Sequence, residues 1–466
     1  MAGIDLEGGR LEPLRDVASA DDVGVLLGAG ASMASGLPDW NTLAVRVLQE
    51  SGAIPDEQTA RDFLARQDPI LAVEAAKILS SDWTGQLRKA LYPEGDAYLP
   101  SALHLAAGTL ITKRRLHGQH STAFTLNFDL LLEEAVKAAL EELEVPGAVT
   151  TRSQARRSSD RHGVEVQHLH GVLGPAPDDP AEGIVLSLSD FNELGARANP
   201  WQVAALQEAI TSGPFVIAGT SYRDTDVRQW LHDVLRQMGP GHTVYALIAR
   251  EGLGLSREQF SAAGDAIQRQ WEAIGVQAVL LQDHSDAAQV LWELPELGQP
   301  DYQPPAQRIR LFWRRVADRF EALQEEHAAL LEADLEQLED LGARSTLTLW
   351  LVDDQGDLVR WAAYDRVHRD LSMLRRVPLG HDSPWVAARA AARNSPEQVH
   401  LTYDPLAPRW RSVVAAPVLA QLPEGPTLPV GAVSAACAVE LPPEMLSEWE
   451  ARVQDIAEDW GDRLTQ

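Results

Sequence analysis

One cysteine, Cys437, in 466 residues excludes an internal disulfide and any metal centre built from several thiolates. Basic residues are also scarce: 40 Lys and Arg stand against 68 Asp and Glu, a formal charge of −28. Affinity for a nucleic-acid backbone comes largely from Lys and Arg that displace counterions, so no direct nucleic-acid ligand is expected. The one basic cluster runs from Arg152 to Arg161, with Arg156 and Arg157 at its centre, and its Ser-rich setting reads as a solvated loop. Long apolar runs are missing as well. No window approaches the roughly 20 apolar residues of a membrane span, and no N-terminal run has the charged start and apolar core of a signal peptide. These absences predict a cytoplasmic protein in a reducing compartment, with no membrane partner. The length predicts two or three domains.

The densest signal present is Gly28-Ala29-Gly30-Ala31-Ser32, with Gly36-Leu37-Pro38-Asp39-Trp40 behind it. Val23 to Leu27, just before it, suits a buried parallel strand. Small residues let the backbone approach an anion, and the N–H groups opening the next helix supply donors and the positive end of a dipole. Alone, such a turn is equally a tight strand-to-helix connection, and its spacing is not G-x-G-x-x-G. Three further segments also follow predicted strands: Thr125-Leu126-Asn127-Phe128-Asp129, Leu169-His170-Gly171, and Gly219-Thr220-Ser221 with Asp224 and Asp226 behind it. In an open parallel sheet, ligands bind outside the carboxyl ends of the strands, so motifs far apart in sequence meet in one crevice.

Alternating strands and helices predict an α/β fold with a Rossmann-like parallel sheet over residues 1–298. Strands are expected over 23–27, 121–126, 164–168, 184–188, 215–218, 243–248 and 276–281, with helices over 130–143 and 201–210. Residues 41–118 carry helical periodicity, through Leu43, Val47 and Leu48 and then Leu71, Val73 and Ile78, and read as a helical lid module. Pro300, Pro304 and Pro305 close the first domain, because proline blocks continuation of helix or strand. Residues 299–341 read as a proline-rich linker and an amphipathic helix. Its apolar positions Ile309, Trp313, Val316, Phe320, Leu323 and Leu330 form a candidate coiled-coil seam, or else the buried face of a helix lying on its own domain. His327 on that stripe reads as a core or boundary residue. Residues 342–466 predict an α+β domain: a hairpin over 345–352 and 358–364, a helix over 384–392, strands over 412–418 and 429–436, and a closing helix over 443–462. The closing helix carries Leu446, Trp449, Val453, Ile456 and Trp460 on one stripe. Read as exposed, the two stripes predict a homo-oligomer.

Taken in order, the four N-terminal motifs resemble the sirtuin family over about residues 20 to 295. The resemblance implies an enzyme that consumes NAD. Asn127 would hold the ribose hydroxyls and the water beside the anomeric carbon, and His170 would be the general base. An amide can orient a hydroxyl and a water at once, and an imidazole titrates near neutrality. Asp129 would accept from the nicotinamide carboxamide, Trp40 would cover the ribose face, and Gly28, Ala29, Gly30, Ser32, Pro38, Asp39, Thr125, Gly219, Thr220 and Ser221 would line the cofactor site. Asp129 reads equally as the cap of the following helix. His168, which would share a strand face with His170, reads as structural.

Three departures separate the chain from protein-deacetylating sirtuins. Leu126 stands where they carry glutamine, Asn41 where they carry arginine, and residues 172–215 lack the four-cysteine zinc module, so no zinc is expected. The pattern resembles in particular the bacterial sirtuin-like NAD hydrolases of antiphage defence. That implies cleavage of NAD to nicotinamide and ADP-ribose by a regulated effector; the alternatives are a non-catalytic NAD or ADP-ribose sensor and an NAD-dependent protein deacylase. Residues from about 310 to 466 resemble a GAF domain, through Ser383-Pro384-Trp385-Val386, a strand ending Ala416-Pro417-Val418, and Val430-Gly431-Ala432-Val433. This second resemblance implies sensing or assembly, with an activating ligand or protein of unknown identity.

Overall fold

The computed structural model describes residues 6–93, 98–155, 163–197, 200–220, 225–239, 241–339, 345–401 and 410–465. The chain divides into two compact units, one spanning Asp16–Leu280 and the other combining the segment that ends at Arg15 with Leu281–Gln466. Among the described residues no helix is long and apolar enough to cross a membrane.

The first unit is built on strands β1 (Asp22–Leu27), β2 (His120–Thr125), β3 (Val149–Arg152), β4 (Val164–His168), β7 (Phe215–Ala218), β8 (Val244–Ala249) and β9 (Gln277–Leu281), with a two-residue ribbon of β5 (Val172–Leu173) and β6 (Ala181–Glu182) beside the sheet. Their order is β3-β4-β2-β1-β7-β8-β9, and the pairs from β3 through β8 are parallel. β1, β7 and β8 are continuous apolar runs because helices cover both faces of such a sheet. The chain order reverses between β1 and β7, which places a crevice at their carboxyl ends.

Between β1 and β2 lie helices Trp40–Glu50, Glu57–Leu64, Pro69–Leu79, Trp83–Leu91 and Ala102–Leu116. Asp39, Asp56, Asp68 and Asp82 each accept from a backbone N–H in the first turn of the first four, so the module's sequence punctuates its own helices. Leu43, Val47, Leu48, Val73 and Leu87 form its core together with Phe128, Leu131, Leu173 and Leu186. Leu71 and Ile78, expected on the apolar face, point to solvent instead. The expected strand over 184–188 is also absent. Val185 and Leu186 are buried, but Ser187 and Asp190 form a capping box that starts a helix at Leu188.

The second unit carries a six-stranded antiparallel sheet of β10 (Ser345–Val352), β11 (Asp357–Ala363), β12 (Arg376–Pro378), β13 (Glu397–His400), β14 (Ser412–Ala420) and β15 (Leu428–Cys437), in the order β12-β11-β10-β15-β14-β13. The compact division falls at Leu281, not at the prolines. Pro305 occupies the first turn of helix Pro305–Asp318, where its missing N–H has no partner to lose, so it opens a helix of the second unit. The stretch expected as one amphipathic helix is two, Pro305–Asp318 and Phe320–Glu339, separated at Arg319. Ile309, Trp313, Val316, Phe320 and Leu323 join one core with Leu446, Trp449, Val453, Ile456 and Trp460 of helix Pro443–Thr465. Both stripes therefore bury themselves largely inside their own unit, so they are not the exposed faces on which the expected homo-oligomer rested. His327 packs in this core: its Nδ1 accepts from the Trp361 indole N–H at 2.8 Å, and its ring meets Trp460 edge-on at 5.0 Å.

Candidate active site

The glycine turn closes tightly on β7. Gly28 N–H donates to the Ala218 carbonyl at 3.0 Å, and Gly30 N–H to the Gly219 carbonyl at 2.7 Å. A Cβ on Gly28 would lie 2.7 Å from Thr220 Cα, so only glycine lets the loops after β1 and β7 approach this closely. Ala29 is half-buried and Gly30 and Ser32 are buried, in the short helix Ala29–Met33.

Ser32 joins this turn to the end of β2. Asn127 Nδ2 donates to the Gly28 carbonyl at 3.1 Å and to Ser32 Oγ at 2.6 Å, while Ser32 Oγ donates to Asp129 Oδ2 at 2.7 Å. Asp129 Oδ1 accepts from Leu131 N–H at 3.1 Å, so the carboxylate serves the helix start and the Ser32 contact together. Thr125 Oγ1 accepts from Asn127 N–H at 3.0 Å, which fixes the loop from inside. All four side chains are buried.

His170 arrives from β4 on a turn that only glycine can complete. Gly171 has φ +93, and a Cβ there would lie 2.3 Å from the Gly183 carbonyl oxygen. The segment expected as a strand braces this turn, Val185 N–H donating to the His170 carbonyl at 2.8 Å. The His170 ring stands edge-on to Trp230 at 5.6 Å and to Phe191 at 6.0 Å. It is 8% exposed, and its Nε2 has no hydrogen-bond partner among the described residues. A buried polar atom left unpartnered costs stability, so its persistence points to a ligand or solvent atom as its partner.

His168 is fully buried two residues upstream. Its Nδ1 meets the Asn127 carbonyl at 2.9 Å, and its Nε2 meets Glu133 Oε1 at 2.8 Å. Burial opposes its protonation, but the hydrogen bond and charge of Glu133, with the Asn127 carbonyl and the Asp129 charge, hold its basicity above the usual histidine range. His104, on helix Ala102–Leu116, is pushed the other way by burial.

The remaining predicted residues sit further out or support backbone. Asp39 caps helix Trp40–Glu50, its Oδ1 accepting from Thr42 N–H at 2.8 Å. Half-buried Trp40 begins that helix and packs on the lid core, beside half-buried Pro38. Leu126 is buried and Asn41 exposed. Gly219 adopts φ +65, and Thr220 is half-buried. Ser221, Asp224, Arg156, Arg157, Arg161 and the side chain of Asp226 lie outside the described residues. Sequence reasoning missed Glu133, Trp230 and Phe191. For Glu133 the available signal is a carboxylate on the buried stripe between Leu132 and Val136.

Residues 121–279 match the SIR2-like domain family, a span of about a third of the chain that holds Asn127, Asp129, His168, His170 and Gly219 but begins after the glycine turn. A solved chain from work on the mechanism and regulation of Sir2 enzymes aligns at 12% identity, covering 63% of this chain and 98% of its own length with a TM-score of 0.32. No curated protein matches.

Proposed function

We propose that the first unit hydrolyses NAD to nicotinamide and ADP-ribose. The observation that carries the reading is the convergence at the carboxyl ends of β1, β2, β4 and β7 of the Asn127–Ser32–Asp129 chain and a histidine with a free buried nitrogen. SIR2-like domains use NAD, and residues 121–279 match one.

Breaking the nicotinamide–ribose bond builds positive charge on the ribose carbon. Asn127 is placed to hold a ribose hydroxyl or a water by exchanging its contacts with Gly28 and Ser32 for the substrate. His170 Nε2 accepts the proton that the attacking water loses as the new C–O bond forms. Asp129 presents an acceptor to the carboxamide, and the small residues of the glycine turn admit the pyrophosphate. Trp230 and Phe191 fix the imidazole plane from two sides, so the base meets substrate with little rotational freedom to lose.

Cleavage of NAD without control would harm the cell that makes the enzyme, which supports regulation by the second unit. Its antiparallel sheet and shared helical core support a GAF-like sensor, and the resemblance to antiphage NAD hydrolases supports an effector that depletes NAD. The deciding experiment is incubation of the full chain with NAD and chromatography of the products. Nicotinamide and ADP-ribose in equal amounts, lost in Asn127→Ala, establish the activity. Tight NAD binding without products would make the protein a sensor instead.

A further inference from the structure

The Asn127 peptide is held at both ends. Its N–H donates to Thr125 Oγ1, and its carbonyl accepts from His168 Nδ1. A carbonyl oxygen can only accept, so Nδ1 carries a hydrogen. Glu133 Oε1, the partner of Nε2, also meets Thr151 Oγ1 at 2.7 Å, while Glu133 Oε2 has no partner among the described residues; with two contacts gathered on one oxygen we infer that this oxygen is an ionised acceptor, so that Nε2 carries a hydrogen too. Two ring hydrogens make His168 an imidazolium paired with a buried carboxylate. The pair links β4, β3 and helix Leu131–Glu142 beneath the loop that bears Asn127.

Other titratable groups surround the pair. Asp129 adds negative charge toward His168 from the loop. His104 faces Asp129 and Glu133 from helix Ala102–Leu116, where burial disfavours its charged form. Burial likewise raises the Glu134 carboxyl on the helix of Glu133. A buried ion pair is weak evidence for stability, because desolvation consumes most of its attraction; in some proteins it supplies a fixed geometry instead. Here the fixed atom is the carbonyl of Asn127.

We propose that the His168–Glu133 pair is a positioning device for Asn127, and that His168 is a positioning residue of the active site. The kinetic consequence rests on the NAD-cleaving reading; the pairing rests on geometry alone.

The test uses the full chain carrying Glu133→Gln, and Thr151→Val as a milder variant that removes one bond to the same carboxylate oxygen and keeps the pair. Nitrogen-resolved NMR of His168 should show two ring hydrogens in the parent at pH 7 and one in Glu133→Gln, with a shifted Asn127 side-chain amide signal. Nicotinamide release should fall in kcat by roughly 10- to 100-fold while KM stays within about threefold, since misplacing a reacting group by about 1 Å costs about 100-fold. Glu133→Asp should restore the doubly protonated ring and part of kcat, which a purely structural loss would not allow. A neutral His168 in the parent, or an Asn127 amide signal and kcat unmoved in Glu133→Gln, overturns the proposal. If the parent releases no nicotinamide, the NAD-cleaving reading fails, and the ring and amide signals still decide whether the pair positions Asn127. Should Glu133→Gln fail to fold, Glu133→Asp decides: a moved Asn127 amide signal with lowered kcat supports the proposal, both unmoved overturn it, and Thr151→Val, which keeps the pair, serves as the control that leaves the doubly protonated ring in place.

Discussion

His170 and His327 are both buried and both stand edge-on to aromatic rings, yet their nitrogens meet different fates. His327 gives Nδ1 to the Trp361 indole at 2.8 Å, within a network where Trp460 Nε1 and Arg463 both donate to Asp334. Burial, with Arg319 and Arg463 nearby, pushes its pKa down to about 4. His170 Nε2 has no partner among the described residues and follows the end of a parallel strand. Residue type and burial are thus the same in the two units. What separates an internal hydrogen-bond acceptor from a candidate base is whether the fold occupies the nitrogen, and that is settled through space.

The sharpest way to break the comparison is to truncate each histidine. His170→Ala should lower nicotinamide release by roughly 100- to 10,000-fold, the usual range for losing a general base, while urea unfolding moves little. His327→Ala should do the reverse, leaving NAD turnover per folded molecule intact and lowering the unfolding midpoint of the second unit. Equal effects of both on turnover would show that His170 is a packing residue like its counterpart.

The next effect in size concerns the helix stripes. Val316 and Leu323 are 4% and 7% exposed within the second unit's core. A carboxylate there would be buried without a partner, so Val316→Asp and Leu323→Asp should each destabilise by about 3 kcal/mol or more. Denaturant unfolding should show this. A variant that keeps the parent's stability and changes only its mass in solution would return the stripes to the interface role that their periodicity suggested.

Periodicity could not distinguish those roles, because a seam of Ile309, Trp313 and Val316 shows that a face is buried but not what buries it. The same limit explains the other differences. Val185 and Leu186 form an apolar run that a strand would bury; a loop bracing His170 buries it equally well. Asn127, His170 and the glycine turn stand out in the sequence as candidates because each lies within a short segment whose residue types constrain one another. Glu133, Trp230 and Phe191 do not. Glu133 lies on an expected helix that reads as ordinary and acquires its role from His168, 35 residues away in sequence, while Phe191 and Trp230 lie where no element was expected and acquire theirs from the packing of two helices on one ring.

A pH series would sharpen the contrast at a smaller scale. The unfolded chain binds a proton at His327 near pH 6.5, whereas the folded chain refuses it until about pH 4. Between those values the unfolded state holds more protons, so this group lowers stability as pH falls through that window and adds no further loss below it. The full span amounts to on the order of 3 kcal/mol. His327→Gln keeps an acceptor for Trp361 and removes the titration, so its unfolding midpoint should change less between pH 7 and pH 4.5 than the parent's. Parallel curves for the two proteins would show that His327 is not the group responsible.

The smallest expected effect is none at all, and it separates hydrolysis from deacylation. Residues 172–215, where protein-deacetylating sirtuins carry their zinc module, hold here the β5–β6 ribbon, the brace at Val185 and helices Leu188–Gly195 and Trp201–Ser212, while the lone Cys437 is buried in the other unit. His170 meets Phe191 from that stretch and Trp230 beyond it, and the hydrolase reading proposed above takes water as the acceptor in place of an acyl-lysine side chain. An acetyl-lysine peptide should therefore leave the rate of NAD loss within about twofold of the peptide-free value, because a substrate that makes no contact with the transition state cannot change it. Product analysis should find ADP-ribose and no O-acetyl-ADP-ribose. One acetyl group removed per NAD consumed would place the chain among the deacylases, and His170 would then activate a ribose hydroxyl toward the acetyl group in place of a water.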